Sequence, residues 1–194
     1  MSTLSFNEIE KGDLIIVEND PCKILKTSHM AKGRGSSVLR VKLKNLRKDE
    51  ETSKTFRPSD SFEEANIKNK KVKFIYEHRG EYVFHEKGDK SKRFKLQEDQ
   101  VKEKKKYLKP ELELELILFK DEIINISLPI KVNYKVDFAP PGVKGNRAEA
   151  GTKTVTLETG AKIDTPLFIK RGDVIEVNVE KDEYVRRIKK GKTL

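Results

Sequence analysis

The sequence predicts an all-β protein made of three small barrels, and three observations carry that prediction. Almost every apolar stretch alternates with a period of two instead of recurring at helical spacing. Turn residues such as Asn19, Asp20 and Pro21, or Pro140, Pro141 and Gly142, break the stretches at short intervals. In 194 residues, 38% charged against 35% apolar is too polar for one large core but suits several barrels with much surface for their volume.

In chain order, "DLIIVEND" reads as a strand entering a turn and "CKILKTSHM" as the strand leaving it. Next comes "AKGRGSSVLRVKLKNLR", residues 31–47. Here Gly33 and Gly35 flank Arg34, with Lys32 and Ser36 on either side, so the backbone can turn with little bulk beside the arginine. The strand that follows sets Leu39, Val41 and Leu43 on one face and Arg40, Lys42 and Lys44 on the other, because side chains alternate across the pleat. From these residues alone, the stretch describes either a cation delivered to a polyanion or an ordinary solvated hairpin.

Around residues 64–66 the composition shifts from acidic to basic and a new strand pattern begins, which places domains at 1–64, 65–128 and 129–188, with a basic tail at 189–194. The middle group holds "KKVKFIYEH", "GEYVFHEK", "RFKLQ" and "ELELELILF", with one short helix in "LQEDQVKEKKKYLKP" before Pro110. In "ELELELILF", Glu111, Glu113 and Glu115 face water while Leu112, Leu114 and Leu116 face inward. The aromatics Phe74, Tyr76, Tyr82 and Phe84 are expected inside this barrel. The third group alternates at Val132, Tyr134, Val136 and Phe138 and continues through "KTVTLETGAKIDTPLFIKRGDVIEVNVEKDEYVRRI". Such strand groups suit barrels of the SH3-like or OB type, and the similar lengths of the second and third suggest a repeated fold.

The net charge of +10 makes RNA or DNA the leading partner. Residues 1–64 carry 12 cationic against 11 anionic side chains, so a cationic site there has to be local. Cys22 is the only cysteine, which excludes an internal disulfide and multi-cysteine zinc, and it is expected as a buried structural thiol in a reducing, cytoplasmic compartment. No apolar run approaches the roughly 18 residues of a membrane span, and "MSTLSFNEIEKGD" lacks the pattern of a signal peptide. His29, His78 and His85 lack metal-site spacing, and "GRG" is no phosphate-binding loop, so neither catalysis nor a metal is expected.

Three blocks, "SHMAKGRGSSVLRVKLKNL", "KPELELELILFKDEIINISLPIKVNYKV" and "TVTLETGAKIDTPLFIKRGDVIEVNVEKDEYVRRI", together resemble the bacterial translation elongation factor P family over nearly the whole chain. Lys153, Gly160, Pro166 and Gly172 match the family spacing, and Tyr184 and Arg187 its terminal Tyr-x-x-Arg pattern. The resemblance implies an SH3-like (KOW-type) barrel followed by two OB-folds in an L that imitates a tRNA. It implies a monomeric, non-enzymatic factor bound to both ribosomal subunits between the peptidyl and exit sites. There Arg34 at the loop tip would reach the CCA end of peptidyl-tRNA and restore peptide-bond formation at consecutive prolines.

Arg40, Lys42 and Lys44 would then contact RNA backbone. Gly145, Asn146, Arg147, Lys153, Tyr184 and Arg187 would contact ribosome or tRNA, with mRNA in the exit site nearby. An arginine at the tip implies rhamnose glycosylation of Arg34 by an arginine rhamnosyltransferase. The sequence departs from the family in five places: Gly35 replaces asparagine, Gly145 to Arg147 keep only the glycine of a Gly-Asp-Thr motif, Val155 replaces alanine, Thr165 replaces valine, and Asp182 replaces a common glycine. The alternative from another class is a general single-stranded RNA-binding protein or RNA chaperone built from OB-folds, using basic grooves and stacked aromatics.

Overall fold

The computed structural model describes residues 3–30, 37–141 and 151–188, and within them the regular structure is almost all strand, with one short helix and a 3-10 turn. The tip residues Lys32, Gly33, Arg34, Gly35 and Ser36, the loop residues Gly145, Asn146 and Arg147, and the basic tail lie outside the described residues.

Strands β2 (Leu14–Val17), β3 (Asp20–Met30), β4 (Val38–Asn45) and β5 (Glu50–Phe56) form a four-stranded meander, while β1 (Thr3–Ser5) pairs with β6 (Ser61–Glu63). The β2–β3 turn is made by Glu18 and Asn19, both at positive φ, the two-residue turn whose twist matches antiparallel strands. The expected turn thus sits one residue earlier, and Asp20 and Pro21 already belong to β3. Ile15, Ile24, Leu39, Val41, Leu43, Phe56 and Phe62 pack with Phe6, Ile9 and Cys22 into one core. The inward face expected of Leu39, Val41 and Leu43 is therefore the face the barrel buries.

Strands β7 (Ile67–His78), β8 (Glu81–Glu86), β9 (Asp89–Gln97), β10 (Glu113–Phe119) and β11 (Glu122–Ser127) make a five-stranded sheet in the order β11-β10-β7-β8-β9. Helix α1 (Glu98–Val101) runs into a 3-10 turn over Lys102–Tyr107, at the place expected for a short helix. Leu112, Leu114 and Leu116 are buried as their alternation requires. The last sheet, β12 (Lys131–Phe138), β13 (Thr152–Leu157), β14 (Lys162–Pro166), β15 (Val174–Asn178) and β16 (Glu183–Ile188), has the order β14-β13-β12-β15-β16. Numbered within each group, both sheets read 3-2-1-4-5, so the expected repetition is present in the topology.

The repetition extends to a defect. In each sheet the first strand shifts register against the second, between Phe74 and Tyr76 in β7 and between Val136 and Phe138 in β12. An extra residue inverts the alternation beyond it. Tyr76 and Phe138 therefore turn outward, at 47% and 59% exposure, although the period-two pattern placed both inside; Phe74, Tyr82, Phe84, Val132, Tyr134 and Val136 are buried as expected.

The chain forms two compact units, Met1–Lys71 with Glu115–Ser127, and Val72–Leu114 with Leu128–Leu194. Within the first, Leu46, Ala65, Phe119 and Ile124 build a second apolar cluster that joins the β10–β11 hairpin to the four-stranded sheet. The buried Asn125 amide donates to the Leu46 carbonyl at 2.7 Å, so the polar group at this seam is satisfied. At its rim Arg47 pairs with Glu122 at 3.1 Å and Asp20 at 3.2 Å.

Within the second unit a polar clamp ties the 3-10 turn to the last sheet. The Tyr107 hydroxyl donates to Asp182 at 2.6 Å, Lys106 Nζ reaches the other Asp182 oxygen at 2.7 Å, and the Tyr134 hydroxyl donates to the Tyr107 carbonyl at 2.7 Å. Lys109 Nζ adds bonds to the Asn133 carbonyl at 2.6 Å and to Glu158 at 3.2 Å. Burial, reinforced by the Asp182 hydrogen bond, pushes the Tyr107 hydroxyl pKa far up, and burial does the same to Tyr134. Burial alone would raise the Asp182 carboxyl, but the hydrogen bonds from Lys106 and Tyr107 outweigh it and hold it below the ordinary aspartate value. Asp182 sits at φ 58°, a left-handed conformation that suits glycine and that aspartate tolerates. A glycine here could keep the same backbone path but would lack the carboxylate.

Candidate nucleic-acid interface

The hairpin of β3 and β4 is paired from Cys22 opposite Asn45 to Met30 opposite Val38, with one register shift between Ile24 and Lys26. It is thus a braced pair of strands up to Met30 and Val38. Its buried side is the core row of Leu39, Val41 and Leu43, and the Phe6 ring meets His29 edge-on at 5.9 Å near its end.

The three cations expected on its wet face are not equivalent. Lys42 pairs with Glu51 at 2.5 Å and Lys44 with Asp49 at 2.8 Å, so a carboxylate already engages each amine. The Lys42 hydrogen bond, with its charge, holds the Glu51 carboxyl below the usual carboxylate range. The Lys42–Glu51 pair is exposed and of the weak kind, about 0–1 kcal/mol, whereas Lys44 and Asp49 are partly buried. Arg40 is exposed between Ser28 and Thr55 in the cross-strand row, where neither neighbour carries a charge.

In the last sheet, Lys153 is half-buried and its Nζ donates to the Pro140 carbonyl at 2.8 Å, which ties β13 to the segment after β12. Tyr184 stands opposite Val177 in the β15–β16 pair and is partly buried. Arg187 lies over the Phe168 ring, 5.4 Å from its centroid, and 3.8 Å from Asp173. Sequence reasoning singled out Arg187 but missed Phe168. The available signal was the run Leu167-Phe168-Ile169 after a strand, three successive apolar residues that cannot all face inward; Ile169 is buried and Phe168 is 54% exposed.

The remaining candidates have structural surroundings. Burial pushes the Cys22 thiol up, away from the thiolate that nucleophilic chemistry needs. His78 ends β7, whereas His85 is buried within β8, its Nδ1 2.9 Å from the Glu86 carbonyl. Among the described residues no group of three His, Cys, Asp or Glu side chains is placed to hold a metal ion, and no helix is long and apolar enough to cross a membrane.

Residues 5–62 match the elongation factor P (EF-P) KOW-like domain, and residues 132–187 match elongation factor P, C-terminal. Elongation factor P of Prochlorococcus marinus (strain MIT 9515) is 35% identical over 184 residues, covering 95% of this chain and 98% of that protein. The chain belongs to the elongation factor P family. Elongation factor P of Prochlorococcus marinus subsp. pastoris (strain CCMP1986 / NIES-2087 / MED4) matches at the same 35% identity and the same coverage. Among solved structures, a translation initiation factor eif-5a family protein from Naegleria fowleri shares the fold, with a TM-score of 0.50 at 15% identity, covering 66% of this chain and 98% of that one. As a member of the elongation factor P family the chain is a translation elongation factor, and its family implies interaction with the ribosome.

Proposed function

We propose that the chain binds the ribosome between the peptidyl and exit sites, positions peptidyl-tRNA and promotes peptide-bond formation at consecutive prolines, breaking no bond itself. The observation that carries this reading is the braced β3–β4 hairpin, whose paired arms lead into the basic loop that holds Arg34. Proline is a stiff donor and a poor acceptor, so a stalled step gains most from correct placement of its reactants. A slim cationic tip on a rigid sheet supplies placement, while a long flexible arm would spend that gain as entropy.

In this reading Arg34 contacts the CCA end, Lys32, Gly33, Gly35 and Ser36 shape the tip, and Arg40, Lys42 and Lys44 follow the RNA backbone. Arg40 engages most directly, since Lys42 and Lys44 must first leave Glu51 and Asp49. Gly145, Asn146, Arg147, Lys153, Tyr184 and Arg187 serve ribosome or tRNA contacts, with exit-site mRNA within the same neighbourhood. Lys153 acts there through Pro140, as a positioning residue. The barrels divide at 1–64, 65–128 and 129–188, the protein works as a cytoplasmic monomer, and Arg34 carries rhamnose added by an arginine rhamnosyltransferase.

The test is synthesis of a Pro-Pro-Pro peptide on a matched ribosome. The protein accelerates it and leaves an unrelated peptide nearly unchanged; equal stimulation of both would instead support a general RNA binder. Arg34→Ala loses the acceleration and keeps the melting temperature. Intact mass of protein from its native host shows a deoxyhexose increment on the tip peptide if the modification is present, and an unmodified mass removes that part of the proposal.

A further inference from the structure

We propose that Phe168, together with Arg187, forms a stacking platform for an unpaired nucleobase of single-stranded RNA, a site distinct from the loop around Arg34. The proposal rests on the RNA-binding reading above and assigns a ligand class to a residue that reading leaves unused.

Phe168 follows β14 in a turn that the backbone holds tightly. Ile169 N donates to the Pro166 carbonyl at 3.1 Å, Asp173 N to the Lys170 carbonyl at 3.1 Å, and Gly172 N to the Val136 carbonyl at 2.8 Å. The Asp173 carboxylate accepts from Lys170 N at 2.9 Å and stands 3.8 Å from Arg187, so one acid both closes the turn and steadies the guanidinium. The ring and its cation are thus set before any ligand arrives, which lowers the ordering cost of binding. Leaving 54% of a phenylalanine in water forgoes burial that its neighbour Ile169 obtains in full.

The occupant follows from charge. Arg187 lies over the ring and Lys170 and Arg171 follow it closely in the chain, all three exposed, with Asp137 3.8 Å from Arg171 and Asp173 3.8 Å from Arg187. A flat apolar face flanked by cations matches a base joined to phosphates: the base stacks on the ring or on the guanidinium plane, and the phosphates meet the cations. A base already paired in a duplex has no free face to offer.

The experiment uses the full chain and a nine-nucleotide unstructured RNA with 2-aminopurine at its centre, followed by fluorescence and by anisotropy at low salt. Binding quenches the fluorescence, and the same RNA annealed to its complement gives no such change. Phe168→Ala, which keeps every charge, weakens binding about tenfold and abolishes the quench. Phe168→Trp restores both, which a merely structural role would not do, and Arg187→Gln weakens binding and flattens its salt dependence. Quenching by Phe168→Ala equal to the wild type, or failure of Phe168→Trp to restore it, overturns the platform. Either result with Pro-Pro-Pro stimulation intact removes this inference alone. Loss of that stimulation's proline selectivity removes the functional reading instead.

Discussion

The two seams of the molecule, each inside its own compact unit, solve the same joining problem with opposite chemistry. At the first, Leu46, Ala65, Phe119 and Ile124 exclude water and the one buried amide, Asn125, has its carbonyl partner. At the second, two tyrosine hydroxyls, two lysines and the Asp182 carboxylate carry the join. Apolar burial is indifferent to pH and to small rotations, whereas a chain of short polar bonds specifies geometry and depends on protonation. The first seam is therefore expected to resist acid and the second to define a fixed arrangement of turn and sheet.

Substitutions separate these mechanisms, beginning with the largest effect. Phe119→Ala opens a cavity in the apolar seam and lowers stability by about 3–5 kcal/mol in urea unfolding. Tyr134→Phe leaves the Tyr107 carbonyl without its hydroxyl donor and costs about 1–2 kcal/mol, with near-ultraviolet circular dichroism reporting the loosened tyrosines. A cycle of Asp182→Ala and Tyr107→Phe shows a coupling of about 1 kcal/mol, kept modest because Asp182 is half exposed. If those two effects simply add, the clamp is not a unit and the contrast between seams fails.

The pH dependence follows from the Asp182 shift. Its folded pKa lies below the unfolded value near 3.9, so its contribution is complete above that pH and is lost as pH falls through the folded pKa. Asp182→Asn flattens the fall of stability below about pH 4. Glu122, lowered by its hydrogen bond from Arg47, acts with the same sign, so Glu122→Gln serves as the control from the first seam. Its effect is the smallest of the set, a midpoint close to the wild type, because an exposed rim pair adds little beside an apolar cluster.

Alternation made the barrel cores legible: Leu39, Val41 and Leu43, or Leu112, Leu114 and Leu116, declare their face without help from tertiary structure. Strand β5, with the sequence EETSKTF, was not legible, since only Phe56 is buried and its strand conformation depends on pairing with β4. Strand β11 was missed for a related reason: Ile124, Asn125 and Ile126 are buried in succession, so no alternation marks them. Tyr76 and Phe138 misled because a bulge is a property of two strands together and leaves no trace in one. At the candidate site, Arg187 was visible through family resemblance, while the Leu167-Phe168-Ile169 run could mark Phe168 as exposed but not its partner, since folding brings Arg187 from 19 positions away over its ring. The Asp182 clamp joins residues 75 positions apart, beyond the reach of any local pattern.

Cys22 has a practical consequence. It is the only thiol in the chain, is 2% exposed and has its ionisation suppressed by burial. A thiol introduced on a solvent-facing strand would therefore be the one that a maleimide dye meets at neutral pH, with the native cysteine left in place. Pairs of such labels would give distances along the working factor without first remaking the core of its N-terminal barrel.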